Sequence, residues 1–368
     1  MNEDEPQDTA AGPLPPPSWA LQPPVRRRVW PWVLGVFCSI LIVASLLASF
    51  VQLPYYTIAP GGALDVNQLV TVRGARHYPP KGAVMLLFVR ERARVNGWRW
   101  LQASLDSDID LFKQRDFTGG ADPAELDAGA VADMAASQSS AKYVALRRLG
   151  YKVTVQQKLT VIAVISGRPA AKVLQPGDTL VSVDGKPVKD FDALTKIIKS
   201  HKPGDRVAIR YIRSGRQSSG SLRLAGDKSG HAVIGVFVQQ PYKFPIDVRI
   251  DTSDIGGPSA GLAMTLSILD ELTPGNLTGG KRVAVTGEID STGRVLPIGG
   301  VGQKAVAARH QRAQLFIVPF SEVAEARSRS GSLPVVGVKT LDDALKALRA
   351  AGGDALPTVK STATSAAA

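Results

Sequence analysis

The sequence predicts an α+β chain: one N-terminal apolar helix, a small strand-rich module, and a small mixed sheet with packed helices. Three observations carry this expectation. Residues Val29 to Leu53 run apolar without one charge. Between 151 and 225, β-branched runs of strand length alternate with two short helical stretches and Gly/Pro turns. Between 231 and 350, strand-length apolar runs alternate with longer helical ones.

Composition narrows the chemistry. The 368 residues suffice for two or three compact domains. A hydrophobic share of 44% and a mean hydropathy of +0.02 suit a globular protein with one apolar anchor. Cys38, the single cysteine, excludes an internal disulfide framework and a cysteine-based zinc site. His77, His201, His231 and His310 lack metal-ligand spacing, so no metal is expected. The net charge of +12 is dispersed, with few interleaved aromatics. That reads as a solvated basic surface, not a nucleic-acid site, and near an anionic membrane it would draw the body to the surface.

In chain order, residues 1–24 are rich in proline and acids and cannot bury a core. With Arg26–Arg28 they are expected to form a disordered cytoplasmic tail, 1–28. Val29–Leu53 is long enough to span a membrane, which takes about 20 helical residues. It exceeds the roughly 7–15-residue apolar part of a signal peptide, although small residues at 44–49 leave cleavage as the other reading. Trp30 and Trp32 mark one interface, Tyr55 and Tyr56 the other, and the arginines keep the N-terminus in the cytoplasm. The anchor is thus single-pass in a bacterial cell membrane, with everything after it extracytoplasmic.

Residues 54–150 read as strands at Val66–Val72 and Ala83–Val89. A loop or partly helical connector follows at 118–140, then the last turns of a helix at Ala141–Leu149, stopped by Gly150. This segment is too small for a core of its own and is expected to complete the sheet of the C-terminal block. Residues 151–228 form the strand-rich module, with helices at Pro169–Val173 and Asp190–Ser200. Residues 229–351 place strands at Val233–Gln239, Asp247–Asp251, Val283–Ile289, Leu315–Pro319 and Val335–Val338. Their helices are Ser259–Leu272, Gly302–Gln314 and Leu341–Ala350. Residues 352–368 are small and polar and are expected to be a disordered tail.

Two segments carry chemistry. Gly257-Pro-Ser-Ala-Gly261 sets Ser259 between glycines at the start of an apolar helix. Gly299 to Ala308 places Lys304 in an apolar run. A lysine at its ordinary pKa of about 10.4 is protonated at neutral pH and accepts no proton. Burial lowers that value, by about 3–5 units in strong cases. Lys304 would share a helix face with Val301, Ala307 and Ala308, while Arg309 and Arg312 mark the polar side. A serine beside such a lysine forms a nucleophile with its own base. Gly257, Ser259 and Ala260 supply backbone at a helix start, where N–H groups stabilise an oxyanion.

Simpler readings stand beside these. Ser259 alone fits a helix cap, and Lys304 alone fits a snorkelling surface lysine. GPSAG also satisfies the nucleophile elbow of α/β-hydrolases, but that needs an acid and then a histidine after the serine. Only His310 follows, among arginines. Gly275–Lys281 begins like a phosphate-binding loop, yet Arg282 stands where the Mg²⁺-binding hydroxyl belongs, so no ATP is expected.

Ser166-Gly-Arg-Pro-Ala-Ala171, Leu174-Gln-Pro-Gly-Asp-Thr-Leu180 and Val183-Asp-Gly-Lys186 resemble the PDZ domain of bacterial proteases. The resemblance implies a module that binds an extended peptide as an added strand, often by its C-terminal carboxylate. Leu149-Gly150-Tyr151 is the candidate carboxylate loop and reads equally as a plain helix stop. GPSAG, Leu277-Thr-Gly-Gly280, Val285-Thr-Gly-Glu-Ile289 and Gly293-Arg-Val-Leu-Pro-Ile-Gly-Gly300 before Lys304 closely resemble the Lon-type proteolytic domain.

The whole plan is similar to the membrane-anchored PDZ–Lon-like peptidases of bacteria. That implies Ser259 as nucleophile, Lys304 as base and Thr286 helping to hold the lysine. It also implies an ATP-independent serine endopeptidase without cofactor, cleaving exported or membrane-associated proteins recruited or gated by the PDZ module. Many Lon proteases carry Asp directly before GPSAG; Gly256 stands there, with Asp254 nearby. Expected partners are protein or peptide substrates, including exposed C-termini, and the lipid bilayer, with the oligomeric state open. The rival reading is a non-catalytic PDZ adaptor at the membrane with a degenerate peptidase fold.

Overall fold

A computed structural model of the chain describes residues 29–252 and 255–357. The expected N-terminal tail, the end of the C-terminal one, and any role for Asp254 lie outside the described residues. The chain divides into two compact units, one of them α1 (Trp30–Phe50) with Asn96–Trp98. α1 is 21 residues long with no buried side chain and a hydropathy of 2.5. At 1.5 Å per residue it is about 31 Å long, the thickness of a bilayer's hydrocarbon core. It is shorter than the expected 29–53. Pro54 disfavours helix in the residue before it, and Gln52 and Leu53 instead open the first strand.

The other unit begins with β1 (Gln52–Asp65), β2 (Val70–Arg73) and β3 (Ala83–Asn96). Val66 was expected in a strand, but the Asp65 carboxylate accepts the Asn67 N–H at 3.1 Å and caps a 3-10 turn there. α2 (Gly97–Leu105) and β4 (Asp110–Lys113) follow. The segment expected as a loop or connector is mostly one long helix, α3 (Pro123–Arg148). Its start is well signed: Asp122 caps the Ala124 N–H and Pro123 occupies the first turn. Over its first half and middle the buried face is mostly small, with Ala128, Ser137 and Ala141 beside Met134, so the sequence shows little apolar contrast before Val144 and Leu146.

The strand-rich module contains β5 (Leu159–Val164), β6 (Thr179–Val183), α4 (Phe191–Lys199), β7 (Arg206–Arg213), β8 (Arg216–Arg223) and β9 (Val236–Gln239). Its main strands run in the order β8-β7-β6-β5-β9. A boundary at 228 is therefore too early, because β9 pairs antiparallel with β5 and belongs to this sheet. The module has its own core around Leu159, Val161, Leu180 and Ile209.

The remainder supplies β10 (Asp247–Ile250), α5 (Gly261–Leu272), β11 (Arg282–Val285), β12 (Glu288–Ile289), β13 (Val295–Leu296), α6 (Val301–His310), β14 (Leu315–Pro319), α7 (Val323–Ser330), β15 (Val335–Val338) and α8 (Leu341–Ala350). The main sheet runs β15-β14-β11-β3-β1-β4, with β3, β11, β14 and β15 parallel. Alternate residues of β3 enter different cores: Val84 and Leu86 pack with α5, Met85 and Leu87 with α6. A sheet covered on both faces reads as unbroken apolar sequence, as Ala83–Val89 and Leu315–Pro319 do. Residues 352–356, expected in a disordered tail, are tied down. Asp354 Oδ2 accepts the Asn276 N–H at 2.7 Å, and Leu356 packs on the main core.

A chain starting at residue 226 lacks β1, β3 and β4, half of the main sheet. It should show no cooperative thermal transition by circular dichroism. A soluble, cooperatively melting 226–357 fragment would show the N-terminal strands to be dispensable.

Candidate active site

Ser259 lies in a half-buried turn just before α5. The helix starts at Gly261 with Ala260 at its N-cap and no side-chain cap, so Ser259 is not spent on capping. Two neighbours fix the turn. On the sheet side, Gly287 N–H donates to Ser259 O at 2.9 Å and Leu262 N–H to Gly287 O at 3.0 Å. Thr286 Oγ1 also donates to Ser259 O, at 3.3 Å. On the helix side, Gly257 N–H donates to Ala130 O at 2.8 Å and Ser137 Oγ to Pro258 O at 2.9 Å. A Cβ on Gly256 would stand 2.9 Å from Ala130 Cβ, so the turn's approach to α3 requires glycine.

The Gly257 N–H is therefore already engaged and supplies no oxyanion donor. Among the described residues, the N–H groups of Ser259 and Ala260 have no acceptor, which leaves them free to serve.

Lys304 sits in the first turn of α6, which Gly300 opens at a left-handed φ of 67°. Its side chain is 3% exposed, which removes the snorkelling reading. Burial pulls its pKa down to about 8, against the charges of Glu322 and Glu91, which favour the protonated form. Glu322 is itself pushed up by burial; its Oε1 accepts the Ile298 N–H at 2.9 Å while Oε2 is buried without a partner.

Topology places the two residues at one end of the sheet. β11 and β14 are parallel, and α6 crosses between them, so its first turn lies at their C-terminal ends. Gly300 confirms this, since a Cβ there would stand 3.1 Å from Val89 Cγ1, beyond the paired part of β3. Thr286 and Gly287, which hold the serine turn, directly follow β11. Among the described residues, no hydrogen bond joins Ser259 Oγ to Lys304 Nζ, nor Thr286 to Lys304. The Thr286 hydroxyl instead steadies the main chain of the serine.

A second site lies in the strand-rich module. A groove of about 860 Å³ runs between α4, at Phe191, Leu194 and Ile198, and the approach to β9, at Ile234, Gly235 and Val236. Gly235 has φ 81°, and a Cβ there would strike Arg168. Among the described residues, the N–H groups of Ile234 and Gly235 have no acceptor. They, and not Leu149-Gly150-Tyr151, have the form of a carboxylate loop. Those three N–H groups all donate back to α3, to the carbonyls of Ala145, Arg147 and Leu146, so the segment is a helix stop. Leu149 and Tyr151 also pack with the main core, away from the groove. An apolar–Gly–apolar triplet before an edge strand was the available signal, at Ile234–Val236. No sequence signal marks Ser137 or Ala130.

The first turn of α3, at Asp122 and Glu125, also lines the groove. One turn further on, a Cβ at Gly129 would stand 3.7 Å from Phe237 Cζ on β9, while Ala130 O holds Gly257.

Comparison with known proteins agrees with this architecture. The family model of the Lon protease (S16) C-terminal proteolytic domain matches residues 244–349, and that of the PDZ domain residues 143–224. The Lon protease of Azospirillum brasilense is 41% identical over 96 residues, covering 24% of this chain and 11% of that protein. Lon protease homolog 1, mitochondrial, of Arabidopsis thaliana is 44% identical over 89 residues, covering 23% and 9%. The chain thus spans 9% to 11% of the length of these relatives. The PDZ domain of the SdrC-like protein from Listeria monocytogenes aligns at 30% identity over 23% of this chain and 90% of that one, with a TM-score of 0.22. The C-terminal part of the chain is accordingly a serine-peptidase domain of the Lon type. It is joined to a PDZ domain and preceded by an apolar helix.

The buried lysine has a cost with a definite pH dependence. Its folded pKa of about 8 lies below the unfolded 10.5, so the cost is full below pH 8 and vanishes as pH rises towards 10.5. Lys304→Met should therefore stabilise the fold at pH 7 by about 1–4 kcal/mol and much less at pH 10. Chemical denaturation at both values checks this; a destabilised variant at pH 7 would mean that the ammonium is well compensated.

Proposed function

We propose that this protein is a membrane-anchored, ATP-independent serine endopeptidase with a Ser259–Lys304 dyad. The observation that carries the reading is a buried lysine at the end of the sheet where a glycine-flanked serine turn is fastened. Neutral Lys304 Nζ takes the Ser259 Oγ proton as Oγ attacks the substrate carbonyl. The oxyanion that forms meets the free N–H groups of Ser259 and Ala260. Lys304 then gives its proton to the leaving amine, and a water activated by the same lysine frees the acyl group. Substrate binding brings Ser259 Oγ and Lys304 Nζ into hydrogen-bond contact, as catalytic contacts often tighten only in the complex. Thr286 acts through the serine main chain.

Residues 54–150 and the chain after β9 form one proteolytic unit with the PDZ domain inserted. That domain presents peptides along β9 to the active site. The substrates are exported or membrane-associated proteins with exposed, flexible segments, and α1 holds the enzyme beside them with its N-terminus in the cytoplasm.

A serine-reactive phosphonate should label Ser259 alone, and Ser259→Ala and Lys304→Ala should each lose peptide cleavage while keeping the fold. Lys304→Arg should fail too, because guanidinium stays protonated. Thr286→Val should keep partial activity, at roughly a tenth. The rate should climb about tenfold per pH unit below pH 8 and level off above it. Near-normal turnover in Lys304→Ala would remove the dyad, and absence of any adduct on Ser259 would favour the adaptor reading.

Protease added to intact spheroplasts should digest the part after α1. Full protection of that part would overturn the orientation.

A further inference from the structure

The end of the sheet that carries Lys304 continues into an open shelf of aromatic rings. Met85 and Leu87 of β3 face α6, and by strand alternation Val89 and Glu91 follow on the same face. A Cβ on Gly300, at the start of α6, would stand 3.1 Å from Val89 Cγ1 and 3.6 Å from Ile58 Cγ2 of β1. Tyr56 lies two residues from Ile58 and shares its face, and its hydroxyl donates to Glu91 Oε2 at 2.6 Å. The Tyr56–Glu91 pair thus stands one strand repeat, about 7 Å, beyond the residues that adjoin Gly300.

Two phenylalanines extend this ring. Phe117, from the short helix Gln114–Thr118, stacks on Tyr56 with centroids 4.2 Å apart and planes at 18°. Phe112 pairs with Tyr56 across β1 and β4 and lies 5.6 Å from Phe117. Phe112 is 38% and Phe117 40% accessible, so the cluster keeps an apolar surface in water. A contiguous surface of this kind marks a place where something binds.

Its position says what binds. On one side, Glu91 is close enough to Lys304 to favour the ammonium. On the other, Asp127 of α3 joins burial and Glu91 in raising the pKa of the Tyr56 hydroxyl. Asp127 is three residues before Ala130, whose carbonyl holds the Gly257 N–H, so the two share a side of α3. The shelf therefore adjoins both the turn that carries the lysine and the helix that fastens the serine.

We propose that Tyr56, Phe112 and Phe117 form a specificity subsite that takes a bulky apolar side chain, aromatic or leucine-like, from a substrate residue flanking the cut bond. The inference rests on the Ser259–Lys304 reading and names the substrate class that the dyad meets. A substrate carbonyl held between Ser259 and Lys304 brings its neighbouring side chains towards the shelf. A large apolar group there leaves water and packs against the exposed rings. Glu91 and Asp127 beside the shelf disfavour a carboxylate at the same position.

The test uses the full-length chain in detergent micelles with a degenerate peptide library, the products being sequenced. Phenylalanine, tyrosine and leucine should be enriched at one position flanking the cut, and aspartate and glutamate depleted there. For two peptides that differ at that position alone, phenylalanine against alanine, kcat/KM should favour phenylalanine by about tenfold or more. Phe117→Ala and Phe112→Ala should each bring that ratio down towards one, and Phe117→Tyr should keep it. Thermal melts check the fold of each variant. Cleavage without the enrichment would overturn the inference while the dyad stands. An unchanged ratio in both alanine variants would overturn it too, and would give the shelf to lipid or to a second copy. If the chain neither cleaves the library nor takes a phosphonate on Ser259, the dyad reading fails and takes this inference with it.

Discussion

Most of this structure depends on one parallel pairing, Ala83–Leu86 of β3 against Arg282–Val285 of β11. It joins segments on either side of the whole PDZ domain and sets β3 between β11 and β1 in the middle of the main sheet. Both hydrophobic layers of the main sheet form on those strands, α5 on one face and α6 on the other. Such a contact is entropically slow to make, because a long loop must close before any apolar surface is buried. The strand-rich module between these segments has its own core, so much of that loop can be compact before the pairing forms.

The end of the sheet that carries Lys304 is one place where this fold tolerates unfavourable polar burial. Beside Lys304, Gln303 is 1% exposed, and neither atom of its amide has a partner among the described residues. Glu322 Oε2 is in the same condition. Each unmet group costs about 1–3 kcal/mol. Local departures of this kind are expected where chemistry and not stability sets the residue. The surrounding apolar packing of Val301, Ala305 and Phe316 offsets the cost and also lowers the lysine's pKa.

The legible parts of the sequence were those with a periodic or turn-based signal. The apolar strands at 315–319 and 335–338 and the helix at 341–350 stand where the pattern put them. The serine and lysine segments were visible because glycines and an oddly placed lysine break local expectation. α3 was not legible as one helix, since alanine and serine pack tightly without any apolar contrast. The carboxylate loop was sought at Leu149–Tyr151, where a glycine truly does end a helix, because nothing local distinguishes a free N–H from one bonded back into a helix. The turn's dependence on Ala130 and Ser137 is invisible for a related reason: a main-chain carbonyl has no residue identity.

The position of α3 has a thermodynamic consequence. Gly129 abuts Phe237 of the PDZ edge strand, and the next residue, Ala130, holds Gly257 of the serine turn. Less than one turn of helix separates the two contacts, and a helix backbone is stiff over so short a distance. A peptide on β9 that shifted this turn would alter affinity at the serine. Reciprocity then requires that a substrate bound at the serine alter the groove's affinity by the same factor. The shortest path for such coupling runs from Phe237 through Gly129 and Ala130 to the Gly257 N–H.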